Sequence, residues 1–207
     1  MGYFPFYTDI RGVKTVIVGG GQVAFRKLEK LADFEPDLVV IAPEICKEIR
    51  EFVSEHVKFS FAERSFEFSD LEDAGVVIAA TDDAGLNHRI SVYCKERHIP
   101  VNVVDREEDC SFIFPALIKR GKLTIGISTG GASPMTAVQL KRRIEEQIPG
   151  NMEEILDFLY SIRPMVKREL DTESARSALY RKVLEKLMAG EPVSEEELYK
   201  LMKEQRT

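Results

Sequence analysis

The stretch T-V-I-V-G-G-G-Q-V-A, residues 15–24, decides the fold of this 207-residue chain. Val16, Ile17 and Val18 form a β-branched run that breaks into three glycines, after which Val23, Ala24, Leu28 and Leu31 recur at helical spacing. A strand therefore turns directly into a helix. Gly19, Gly21 and Ala24 satisfy G-x-G-x-x-A, a tolerated form of the dinucleotide fingerprint. Gly19 permits the tight turn, Gly21 lets backbone approach a pyrophosphate, and Ala24 lets the helix pack closely on the strand. The anion would rest on the free N–H groups at the positive end of the helix dipole.

Outward from this turn, Pro36 stops the first helix and residues 38–41 form a second, continuously apolar strand suited to the interior of a parallel sheet. Pro43 opens a helix with Ile45, Ile49, Phe52 and Val53 inward. Residues 57–61 read as a third, peripheral strand. A helical turn at 70–74, a strand at 76–80, a helix at 86–97 and a strand at 101–104 follow. This alternation predicts an α/β fold, a Rossmann-like doubly wound parallel sheet with helices on both faces. Residues 3–7, aromatic and apolar, read as a latch covering a sheet edge.

The pattern then changes. Residues 112–119 and 122–128 form a hairpin through Arg120-Gly121 that extends or flanks the sheet. Ser133 caps a helix whose first residue is Pro134 and which runs to Gln147. After Pro149-Gly150 everything reads as short helices, with capping boxes at Asn151/Glu154 and Ser194/Glu197 and a stop at Gly190 and Pro192. The expected division is an NAD-binding Rossmann domain at 1–112, a hairpin and helix at 113–150 forming a dimerisation and substrate region, and an all-helical C-terminal domain at 151–207. So small a helical set gains from packing on a second subunit, which predicts a homodimer.

Composition narrows the function. A net charge of −6 speaks against a nucleic-acid binder, and no apolar run is long enough to span a membrane. The N-terminus lacks the basic and apolar regions of a signal peptide, so a cytoplasmic protein is expected. Cys46, Cys94 and Cys110 lack the spacing of a zinc site or disulfide framework and read as small buried hydrophobes. His88 and His98 read as satisfied surface histidines, and no metal site is expected.

In a doubly wound sheet, ligands collect at the carboxyl ends of the strands. The segments 19–23, 42–44 and 80–83, which includes Thr81 and Asp82, should meet there with Asp105. The acidic residue that usually ends the second strand is replaced by Ala42, so Glu44 or backbone groups would hold the ribose. Lys47 could favour a 2′-phosphate, and NAD is preferred over NADP. Asp105 follows Asn102 at the mouth of the crevice and is either a general base or a strand-end carboxylate capping the next turn. The basic clusters Lys119, Arg120, Lys122 and Lys141, Arg142, Arg143 are solvated faces or receivers of ligand carboxylates.

Five segments in order, V-G-G-G-Q-V-A-F-R-K (18–27), I-A-A-T-D-D-A-G-L-N (78–87), V-N-V-V-D (101–105), S-F-I-F-P-A (111–116) and I-S-T-G-G-A-S-P (127–134), resemble the precorrin-2 dehydrogenase family, the dehydrogenase part of sirohaem synthases. The resemblance implies NAD-dependent oxidation of precorrin-2 to sirohydrochlorin by a homodimer. Asp105 is then the catalytic residue, and Gln22, Val23, Pro43 and Glu44 contact the nucleotide. Ser128 falls where some members carry a phosphoserine beside the tetrapyrrole pocket, and Ser128, Asn102 and, from the basic hairpin, Arg120 are the expected substrate contacts. The family's glycine before the second strand is replaced by Phe34-Glu35-Pro36. The resemblance also implies that separate methyltransferase and chelatase enzymes act in the pathway, since no methyltransferase domain follows. Because the substrate carries eight carboxylates, the acidic chain needs a locally basic pocket. The alternatives are a bifunctional dehydrogenase/ferrochelatase, a dedicated metal chelatase, and a non-enzymatic NAD-sensing regulatory domain with no use for Asp105.

Overall fold

The computed structural model describes residues 3–205, and the chain divides into two compact units, one ending at Phe114 and the other beginning at Pro115. The first unit is built on five parallel strands in the order β3-β2-β1-β4-β5. These are β1 (Lys14–Val18), β2 (Asp37–Ala42), β3 (Phe59–Glu63), β4 (Val76–Ala79) and β5 (Val101–Val103). Their connections carry α1 (Gln22–Ala32), α2 (Lys47–Ser54), a 3-10 turn at Phe68–Leu71 and α3 (Ala84–Glu96). The doubly wound parallel sheet expected from the alternation is present, with β3 at one edge.

Side chains alternate across the strands and make two cores. Ile17, Val40 and Ile78 pack with Ala24, Leu28 and Leu31 of α1, with Ile49 of α2 and with Ile45 just before it. Val16, Val18, Val77 and Val101 pack with Leu71, Ile90 and Cys94 on the other face. Such continuously apolar strands need cover on both faces, and the crossover helices supply it. The order reverses between β1 and β4, which is where a doubly wound sheet opens its crevice.

Several expectations give way. Val23 is not on the inward stripe of α1 but exposed at its first turn. Phe4, Phe6 and Tyr7 of the expected latch are 82%, 77% and 72% exposed. Glu35, in the Phe34-Glu35-Pro36 segment before β2, takes the left-handed conformation a glycine favours, with φ 52.

In the second unit, β6 (Ala116–Arg120) and β7 (Leu123–Ile127) form a two-stranded antiparallel hairpin of their own and do not extend the parallel sheet. It is followed by α4 (Pro134–Gln147), α5 (Met152–Glu169), α6 (Glu173–Met188) and α7 (Glu195–Glu204). Ser133 caps α4 through Thr136 N–H, and Ser194 caps α7 through Glu197 N–H. Asn151 starts α5 without the expected side-chain cap. Gly190, φ 79, ends α6 in a Schellman turn: its N–H donates to Leu187 O and that of Glu191 to Lys186 O. Far from being short, α5 and α6 span 18 and 16 residues, and Ile162, Val166, Leu179, Val183, Leu198 and Met202 form a core between these helices and α7. Pro149-Gly150 is a turn between α4 and α5 inside this unit.

Candidate functional site

The parallel register sets one edge. Val18 pairs with Ile41 and with Ala79, and Ala79 with Val103, so the loops after β1, β2, β4 and β5 emerge side by side. Gly19, Pro43, Glu44, Thr81, Asp82 and Asp105 all lie on them.

The three glycines have three different roles. Gly19, φ 126, lies so close to the Ala80 carbonyl that a Cβ would overlap it, and its N–H donates to Ile41 O at 2.9 Å. Gly20 is pressed against the Glu44 carbonyl and the Ala42 methyl, and its own carbonyl accepts from Cys46 N–H at 2.8 Å. Gly21 has open space where a Cβ would go and begins α1 with no side-chain cap. The free N–H groups there are the feature that receives a phosphate. Sequence reasoning missed Gly20, whose requirement arises from a loop 24 residues away.

Gln22 and Val23 are exposed on the first turn of α1, and Pro43 and Glu44 are exposed after β2. Hydrogen bonds from its own amide, the Gln22 side chain and Cys46 hold the Glu48 carboxyl below the usual range. Lys47 faces Glu51 at 3.3 Å. After β4, the Thr81 hydroxyl donates to Asn87 Oδ1 at 2.7 Å while Asn87 Nδ2 donates to Thr81 O at 2.9 Å. Asn87 is buried, on the inward stripe with Ile90 and Cys94, and that polar break in an apolar face was the signal for it. Asp82 is exposed, and Asp83 caps α3.

Asp105 is exposed two residues past β5 and holds φ 58, a left-handed backbone that costs a non-glycine residue about 1–2 kcal/mol. The loop beyond it is anchored from beneath. Asp109, 4% exposed, meets His88 Nδ1 at 2.9 Å and Arg106 Nε at 3.1 Å, and its carbonyl accepts from the Ser91 hydroxyl at 2.6 Å. Cys110 Sγ bonds the backbone of Val103, and Ser111 Oγ accepts from Val101 N–H. His88 is thus a satisfied histidine, as read from the sequence, and burial pushes the Cys94 thiol up to about 11.

Asn102, an expected substrate contact, is 5% exposed with both ends of its amide engaged: Oδ1 accepts from Lys27 Nζ at 3.1 Å, and Nδ2 donates to Phe112 O at 3.0 Å. Lys27, which sequence reasoning passed over, is half-buried, and its ammonium stands 4.1 Å from the centre of the Phe114 ring.

In the second unit, Arg120 and Ser128 are exposed at the two ends of the hairpin strands, and Ser128 Oγ accepts from Gly130 N–H. Lys122 is bound by Asp157, and Lys141 faces Glu145 at 3.7 Å. Of the two basic clusters, Arg120, Arg142 and Arg143 enter no ion pair among the described residues.

Comparison with known proteins meets this geometry. The family model described as "Putative NAD(P)-binding" matches residues 6–116, and that described as "Sirohaem biosynthesis protein central" matches residues 120–147. The chain belongs to the family described as putative NAD(P)-binding. Within it, the siroheme synthase of Thioalkalivibrio sulfidiphilus is 38% identical over 196 residues, 94% of this chain and 39% of the relative. That of Nitrosospira multiformis is 36% identical over 188 residues, 89% of this chain and 40% of the relative. The chain thus spans well under half the length of these relatives. A solved structure titled "SirC, precorrin-2 dehydrogenase" shares the fold, with a TM-score of 0.72 over 99% of both chains at 22% identity.

Proposed function

We propose that this chain is a precorrin-2 dehydrogenase, oxidising precorrin-2 to sirohydrochlorin with NAD as acceptor and Asp105 as general base. The observation that carries this reading is the joint edge: an exposed carboxylate on a strained left-handed backbone shares it with an uncapped helix start. Strain of this kind persists where the surrounding structure over-determines it, and it clusters at active sites. The named function of the relatives adds support.

The residues present fit the cofactor. Gly21 leaves open the space a pyrophosphate needs, and the α1 amides are free of side-chain caps. Gly19, Gly21, Gln22 and Val23 would hold the phosphates, Pro43 and Glu44 the adenosine end, and Thr81 and Asp82 the far side. Glu44 suits a free ribose hydroxyl, and Lys47 is paired with Glu51, which favours NAD over NADP. Bound there, the nicotinamide supplies the hydride acceptor. Asp105 takes the proton that leaves the same carbon framework, because the oxidation removes a hydride and a proton together.

Arg120 and Ser128 would meet carboxylates of the tetrapyrrole. Met135, Val138 and Leu140, exposed on α4, are the apolar surface a homodimer would cover. The reading places the enzyme in the cytoplasm.

The test mixes the protein with precorrin-2 and NAD and follows the sirohydrochlorin spectrum, with and without ferrous iron. Nucleotide-dependent conversion that Asp105→Asn abolishes is expected. Conversion without nucleotide, or none at all, removes the proposal.

A further inference from the structure

Lys27 sits between Ala24 and Leu31 on the inward stripe of α1, a position that otherwise carries apolar residues. Its Nζ is fixed by Asn102 Oδ1 at 3.1 Å and by the Phe114 ring at 4.1 Å. Asn102 is itself locked by the Phe112 carbonyl, so the ammonium does not swing freely on its stem. Neither partner is an anion, and among the described residues no carboxylate pairs with Lys27. An ammonium has three N–H donors, of which Asn102 takes one. A partly desolvated cation that enters no ion pair is costly, and the cost is relieved when an anion docks against it.

Burial pushes the amine down to about 8; Lys30, one turn on, adds to this, while the Cys110 thiol and the Asp105 carboxylate oppose it.

We propose that Lys27 binds a carboxylate of the macrocyclic substrate, an inference that rests on the dehydrogenase reading. A phosphate of the dinucleotide shares the chemistry but fits less well. Lys27 is six residues beyond Gly21, about 9 Å along the helix at 1.5 Å per residue, away from the amides that seat a pyrophosphate. Its surroundings, the tilted pair Phe112 and Phe114 with centroids 5.4 Å apart, offer apolar surface to a flat ring system.

The experiment titrates uroporphyrin, an octacarboxylate macrocycle, into the full chain and into Lys27→Met and Lys27→Arg, with NADH titrated separately. Lys27→Met is expected to weaken the macrocycle on the order of tenfold and to leave NADH unaffected. Wild-type affinity for the macrocycle should fall as pH rises through about 8, where the ammonium is lost. Lys27→Arg should bind well with no such step, and Asp105→Asn should retain the step. Unchanged macrocycle binding in Lys27→Met, a loss of NADH affinity in its place, or no macrocycle binding by the wild type overturns the inference. If Lys27→Met does not fold, a step near pH 8 that survives in Lys27→Arg overturns it. Precorrin-2 turnover measured on the same wild-type sample separates the two readings: turnover with indifferent Lys27 variants removes this inference alone, and absence of turnover removes the dehydrogenase reading.

Discussion

Gly19 faces the carbonyl of Ala80 across the β1–β4 switch point with no room for a Cβ, whereas two residues later Gly21 faces open space. Gly19→Ala and Gly20→Ala should therefore destabilise the chain by about 2 kcal/mol or more, through backbone overlap. Gly21→Ala should leave thermal unfolding nearly unchanged and weaken NADH binding at least tenfold, as read by fluorescence titration. Equal NADH affinity in Gly21→Ala and wild type would sink the proposed phosphate seat.

The left-handed residues separate strain that serves function from strain that does not. Glu35, φ 52, and His98, φ 56, stand at loop positions remote in role from the edge. Glycine there should raise stability by about 0.5–1 kcal/mol each, the relief of strain less the added freedom of the unfolded chain. Asp105→Gly should give a similar gain in chemical denaturation while abolishing turnover. A variant that is stabilised and fully active would mean that the carboxylate is dispensable.

Asp109 lies beneath the Asp105 loop with His88 and Arg106 as partners. Asp109→Ala leaves those groups and the buried site unmatched, and should cost about 3 kcal/mol. Asp109 touches no proposed ligand, so the loss in kcat should exceed any change in the KM for NAD, as steady-state kinetics at a temperature where the variant is folded will show.

The lowered amine of Lys27 makes stability depend on pH with a definite sign. Its folded value, about 8, lies below that of the unfolded chain, so the unfolded state binds more protons above pH 8. Wild-type stability should therefore rise relative to Lys27→Met as pH increases from about 8 toward the unfolded value near 10.4. Urea denaturation of both proteins across that range would show a constant difference if the amine were unperturbed.

Cys94, buried with its thiol pushed up to about 11, should remain unmodified by iodoacetamide at pH 8 in the native protein and react only on unfolding. Peptide mapping before and after denaturation checks this.

The strands and helices of the first unit were legible because their signals are local. The apolar runs of β1 and β2 and the glycine turn each declare themselves within a few residues, as does the Ser133-Pro134 helix start in the second unit. The position of Asp105 followed as well, since a residue just past a parallel strand must emerge at its carboxyl edge. Val23, Phe4, Phe6 and Tyr7 are exposed where an inward position was expected, because helical spacing and hydrophobicity do not say whether a partner surface exists at that point. Lys27 and Asn87 carried a usable signal, a polar residue on an inward stripe, but only the packed structure shows what each one holds.

The sequence by itself determined the order and type of the elements of the doubly wound sheet and the chain positions that reach its ligand edge, because hydrophobic period and turn chemistry act over short distances. Only the tertiary structure decided which glycine is crowded and which is open, that Asn102 serves Lys27, and that Asp105 is held in a left-handed turn. Those facts are set by contacts between segments far apart in the chain, such as Gly20 with Glu44 and Lys27 with Asn102, and no local pattern encodes the distance between them.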